Sequence, residues 1–263
     1  MPRWFGGSSP VSSPIVGASK LLAEPRGPVT VVTLNRPEVH NCIDAETAGL
    51  LAEAIRAFAA DGSARVLVVT GAGGRAFCSG ADLNDLEGVM ARATRGHGAP
   101  LGFADLEPGK PRIAAVEGWC IAGGIELACW CDLAVAGDGA LFGALNRRWG
   151  VPWVDGGTQR MTRRIGVGNA LYLLETGERI DAARALVMGL VQEVVPAGGA
   201  LDRALELAER VAAYPQWSLR TDREAVIGGL GLPLQEGLAM EARRRFAERP
   251  RDGEGGVAGT LHP

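Results

Sequence analysis

Residues 65–71 read RVLVVTG, a run with apolar side chains on both alternating faces from Val66 to Val69. A strand apolar on both faces must be covered on both, as in a parallel sheet buried between layers. VTVVTL at 29–34 reads as another β-branched strand, RIAAVEG at 112–118 as a third and DLAVAG at 132–137 as a fourth. Helical spans separate them. The clearest, DAETAGLLAEAIRAFAAD, has Asp44 as N-cap and apolar residues at helical spacing. This alternation predicts an α/β body with mostly parallel pairing.

Past about residue 195 the strand pattern stops. GGALDRALELAERVAAYP, QWSLRTDREAVIGGL and LPLQEGLAMEARRRFAER read as amphipathic helices, suited to a lid or an oligomerisation layer. The expected organisation is a flexible Ser/Pro/Gly-rich tail at 1–25, a core at 26–195 and a helical region at 196–263. The Gly- and Pro-broken stretch 91–110 reads as a flexible flap near the site.

Composition narrows the function classes. With 263 residues, 47% of them hydrophobic, the chain can bury a large core. A net charge of -3 offers no electrostatic footprint for nucleic acid and no polybasic membrane anchor. No apolar run approaches the ~20 residues that span a bilayer, and MPRWFGGSSPVSSP lacks the apolar segment of a signal peptide. A cytoplasmic protein is expected. The five cysteines form no C-x-x-C pair and have no neighbouring histidine, so buried thiols are expected and a metal is not.

VLVVTGAGGRA imitates a dinucleotide-binding turn through Gly71, Gly73 and Ala76. That fingerprint needs a helix at once and an acidic residue about 20 residues on, after a second strand. Here FCSGADLNDLEG intervenes instead.

Four segments fit a different pattern: VVTLNRPEVHNCID, RAFCSGADL, AAVEGWCIAGGIELACWCDLAVAG and FGALNRRWGVPWVDGGTQRM. In that order and at those spacings the chain resembles the enoyl-CoA hydratase/isomerase superfamily, the crotonases, over roughly residues 27–250. The resemblance implies a crotonase (ClpP-like) β/β/α spiral core with a C-terminal helical region, assembled as a homotrimer or a hexamer made of two trimers. It implies an acyl-CoA thioester as substrate, with coenzyme A carried by the substrate and no permanently bound cofactor. Ala81 and Gly123 would supply the oxyanion-hole amides. Coenzyme A would rest around Arg36, Val39, His40, Ala76, Phe77 and Ser79, with further substrate contacts at Asp82, Leu83, Trp119 and Trp149.

Glu126 stands alone in the apolar run CIAGGIELACWCD, where an ionised carboxylate is costly unless partnered. By the resemblance it is a catalytic acid/base; the plainer alternative is a first-turn glutamate capping its own helix. The family's second glutamate falls on Asn146, whose amide cannot shuttle a proton. Asp155 could take over that role, or could merely cap the helix beginning GGTQRMTRR. Arg147 and Arg148 suit a trimer contact as well as a substrate role. The implied activity is hydration or isomerisation of an enoyl-CoA through a stabilised enolate. Because of Asn146, thioester hydrolysis, decarboxylation, dienoyl-CoA isomerisation and non-catalytic acyl-CoA binding stay open.

Overall fold

The computed structural model describes residues 19–247. The described chain opens on a hairpin, β1 (Leu21–Arg26) antiparallel to β2 (Val29–Leu34), with Leu21 opposite Leu34 and Arg26 opposite Val29. α1 (Ala45–Ala60) follows. A strand–strand–helix unit is then wound three times. The first turn is β3 (Val66–Gly71), β4 (Ala76–Cys78) and α2 (Leu86–Thr94). The second is β5 (Arg112–Val116), β6 (Trp119–Ile121) and α3 (Gly123–Trp130). The third is β7 (Leu133–Gly137), β8 (Leu141–Gly143) and α4 (Gly157–Thr176), the last interrupted at Gly166. β9 (Arg179–Asp181), α5 (Ala182–Met188) and β10 (Glu193–Val195) complete the sheets. α6 (Ala200–Ala213), α7 (Gln216–Gly229) and α8 (Leu234–Ala247) end the described chain.

The long strands form one sheet in the order β1-β2-β3-β5-β7-β10, parallel from β2 onward. The short second strand of each unit goes to another sheet, ordered β4-β6-β8-β9, in which only β9 runs antiparallel. This is the crotonase spiral expected from the motifs. β3 shows why its run is apolar throughout. Leu67 and Val69 face the main core, while Val66 and Val68 face the stripe Ala200, Ala204, Ala208 and Ala212 of α6. Alanine every fourth residue lets that helix lie close against the sheet.

Two expectations need correction. The tail assigned to 1–25 lies outside the described residues as far as residue 18, and Leu21–Arg26 are a strand, not tail. The turn at Gly27, with φ 58°, folds LLAEPR back on a strand whose partner edge would otherwise be open. The flap at 91–110 begins in α2, and its Leu101 and Phe103 are buried, Phe103 edge-on to Trp130. Farther along, α7 is fastened to the body by Arg223, whose guanidinium forks onto both carboxylate oxygens of Asp132.

Asp44 joins several of these elements. It caps α1 by accepting from the amide and hydroxyl of Thr47, and it pairs with Lys20 and Arg36. Burial works to raise its pKa, but the Lys20 and Thr47 hydrogen bonds and the Arg36 charge outweigh that and hold it at about 2. A carboxyl depressed below its usual range contributes stability above about pH 4 that fades as pH falls through its folded value. Asp44→Ala should therefore cost about 1–2 kcal/mol at pH 7. In urea titrations the gap to the parent should narrow between pH 4 and pH 2; a gap constant with pH would contradict this assignment.

Candidate active site

The second sheet delivers the site. Its parallel strands β4, β6 and β8 end side by side, and the chain leaving them carries Ala81, Gly123 with Glu126, and Asn146. Ligands in α/β folds gather outside such carboxyl ends. A cavity of about 400 Å³ opens there, lined by Ala81, Gly123, Glu126, Asn146 and Asp155. Leu101, Met90, Leu145, Val151, Pro152 and Trp153 make much of the remaining wall apolar.

Between β6 and α3 the chain turns at Ala122, φ 50° and ψ -120°, a conformation that costs a non-glycine residue of order 1–3 kcal/mol. The turn leads into Gly123 beside the β4 exit: a Cβ placed on Gly123 would lie 3.0 Å from Gly80 Cα and 3.7 Å from the Ala81 amide nitrogen. Among the described residues, neither the Ala81 nor the Gly123 amide donates to a protein acceptor. Two unpaired amides on one cavity wall are donors available to a ligand.

Glu126 is 3% exposed and does not cap its own helix. Its Oε1 accepts from the amides of Asp155 and Gly157, each at 2.9 Å. Gly157 has to be glycine for this approach, because a Cβ there would sit 2.5 Å from Glu126 Cγ. Burial pushes the Glu126 carboxyl up to about 7, helped by the Asp155 charge and opposed by the two amides and by Arg160. Asp155 does not cap α4 either: Gly156 holds the cap position, while Asp155 Oδ1 accepts from the Leu101 amide at 3.0 Å. Its Oδ2 is buried without a protein partner. Burial and the charge of Asp105 push it up to about 6, against the Leu101 amide, Arg160 and Arg92. Two carboxyls of raised pKa thus line one largely apolar cavity.

Asn146 shares the cavity, but its amide is engaged. Nδ2 donates to the Val151 carbonyl at 2.6 Å, and Oδ1 accepts from Trp153 Nε1 at 2.8 Å. Val39, Ser79, Asp82, Leu83 and Trp149 line the cavity as well. Arg36, His40, Ala76, Phe77 and Trp119 are not among its lining residues. The Arg36 guanidinium is paired with Asp82 at 2.9 Å and Asp44 at 3.3 Å. Ala76 and Phe77 are buried in the core, and Trp119 packs under the Arg179 guanidinium. Sequence reasoning passed over Leu101, Trp153 and Arg160. The G-G-T-Q-R motif contained the signal for Arg160, whereas the other two reach the site only through the fold. No group of three or more His, Cys, Asp or Glu suited to a metal ion occurs among the described residues.

The chain belongs to the enoyl-CoA hydratase/isomerase family, whose sequence model matches residues 24–251. It is 37% identical over 221 residues to a probable mitochondrial enoyl-CoA hydratase of Dictyostelium discoideum, covering 84% of this chain and 79% of that one. It is also 37% identical, over 224 residues, to the 2,3-dehydroadipyl-CoA hydratase of Escherichia coli strain K12, covering 85% and 88%. Among solved structures, an enoyl-CoA hydratase of Mycobacterium marinum matches with a TM-score of 0.79 at 35% identity, covering 86% of this chain and 89% of that one.

The charge state of Glu126 is open to a stability measurement. A carboxyl raised above its unfolded value of 4.5 favours folding least once ionised, so the parent should lose stability as pH rises from about 4.5 through 7. Glu126→Gln keeps an oxygen for the two amides and has no charge to desolvate. Relative to the parent it should gain about 1–3 kcal/mol between pH 4.5 and pH 8 in chemical denaturation. An equal difference at both pH values would mean that Glu126 ionises normally.

Proposed function

We propose that this protein hydrates or isomerises enoyl-CoA thioesters, with Glu126 and Asp155 as its acid–base pair. The observation that carries the reading is Glu126, a buried carboxyl of pKa about 7 held by two amides in the cavity that the Ala81 and Gly123 amides also line. Those two amides would receive the thioester oxygen and stabilise the negative charge that grows there as an enolate forms. Gly123 opens α3, so the helix dipole adds to its donor strength. A group with pKa near 7 is populated in both forms at neutral pH, as a residue that takes a proton from water and returns one to carbon must be.

Asn146, at the position of the family's second glutamate, then acts as a brace. The second carboxyl comes from Asp155, whose free Oδ2 can accept from a water or a substrate carbon acid. The substrate brings coenzyme A with it. Exposed apolar residues on the outer helices, among them Val226, Ile227, Leu230 and Leu238, support a homotrimer or a hexamer of two trimers. The five free, buried cysteines support a reducing, cytoplasmic setting. No helix among the described residues is long and apolar enough to cross a membrane.

Purified protein should turn over crotonyl-CoA, a longer 2-enoyl-CoA or a 3-enoyl-CoA. Glu126→Gln should lower kcat by about 10²–10⁴-fold. Asp155→Asn preserves the acceptor for Leu101 and removes the titrating group, so it should lower kcat by at least about tenfold with the fold intact. Asn146→Glu should not raise hydration, because a carboxylate would face the Val151 carbonyl in place of the donor. Parent-level rates in Glu126→Gln would end the acid–base reading, and thioester binding without turnover in the parent would favour an acyl-CoA-binding protein.

A further inference from the structure

We propose that Arg160 is a positioning residue for the reaction: a single guanidinium clasps the loop bearing Asp155 and the loop roofing the cavity, and so fixes the carboxyl pair relative to the Ala81–Gly123 amides. The inference rests on the assignment of Glu126 and Asp155 given above. Arg160 lies in the first turn of α4. Its Nη1 donates to the Asp155 carbonyl at 3.1 Å and its Nη2 to the Ala104 carbonyl at 2.6 Å. The second bond crosses 56 residues of chain and ends on the loop that carries Leu101.

That loop is joined to the site twice more. The Leu101 amide donates to Asp155 Oδ1, and the Leu101 side chain lies over Gly123 so closely that a Cβ on Gly123 would strike its Cδ1. Roof, carboxyl and oxyanion-side amide therefore form one closed circuit, with Arg160 bridging its two loops. The local sequence makes room for it. Gly156 has φ 86°, and a side chain there would collide with the Arg160 guanidinium. An arginine fits this position because its planar fork presents fixed, divergent donors to two carbonyls, whereas an ammonium is a compact point charge.

The arrangement also has an electrostatic consequence. The charged and titratable groups facing the pair are Arg160 from α4, Arg92 from α2, Asp105 from the roof loop and the buried thiols Cys78 and Cys129. Arg160 lowers the pKa of both carboxyls, so removing its charge must shift the acid–base midpoint upward.

The test compares the parent with Arg160→Gln and Arg160→Lys by hydrogen–deuterium exchange over residues 99–106 and by the pH profile of kcat on crotonyl-CoA. In Arg160→Gln, exchange at 99–106 should quicken at least about tenfold while α1 and β3 keep parental protection. Its kcat should fall by about tenfold or more, with a midpoint displaced upward. Arg160→Lys keeps the cation without the fork, so it should restore the midpoint and leave the loop unprotected. Parental exchange at 99–106 in Arg160→Gln, or protection lost evenly across the whole chain, would overturn the proposal. A lysine that restores protection as well would show that charge alone suffices and would overturn it too. A parent inactive on every enoyl thioester would defeat the acid–base reading, whereas the exchange result would still decide whether Arg160 holds the roof.

Discussion

The site depends on one carboxylate oxygen that accepts two amides. By receiving the N–H groups of Asp155 and Gly157, Glu126 Oε1 fastens the start of α4 to α3. The far end of α3 is held by the same helix, through Arg164, which donates to the carbonyls of Ala128, Cys129, Cys131 and Asp132. Terminal carbonyls of a helix lack partners within it, and a guanidinium there satisfies several at once. α3 is thus gripped at both ends by α4, which leaves Glu126 little freedom and keeps it buried. Burial without full neutralisation is what carries its pKa toward 7.

The same geometry explains how the chain tolerates Asn146. A carboxylate at that position would have to find donors. The amide instead gives one bond to Val151 and takes one from Trp153, which folds residues 146–153 into a compact wall. Under the proposed reading the titrating function falls to Asp155, nine residues farther along, whose Oδ2 is buried without a protein partner. Cys42 also lines the cavity but is unsuited to nucleophilic work, since burial and the neighbouring Asp82 push its thiol up to about 12.

Much of this was legible in the sequence because it rests on repeating patterns. Long strands such as VTVVTL and VLVVTG are apolar on both faces, and α6 carries strong helical periodicity, so their positions could be read directly. The strands β4, β6, β8 and β9, three residues each, are too short for a period to develop, and only their lateral pairing defines them. Glu126 was conspicuous as a charge in an apolar run. The fate of Asp155 was not, because a cap and a cavity carboxyl look alike until Leu101, 54 residues away, is placed beside it. The pairing of Arg36 was equally hidden, because Asp44 and Asp82 meet its guanidinium only once the chain folds.

The central claim is that Glu126 titrates near neutrality in a buried, amide-bound setting. Carbon-13 NMR of glutamate side-chain carboxyls, with Glu126→Gln used to assign the signal, measures this directly in the unliganded protein. The account predicts a midpoint of about 7 for Glu126. A midpoint close to the ordinary value of 4.5 would contradict it.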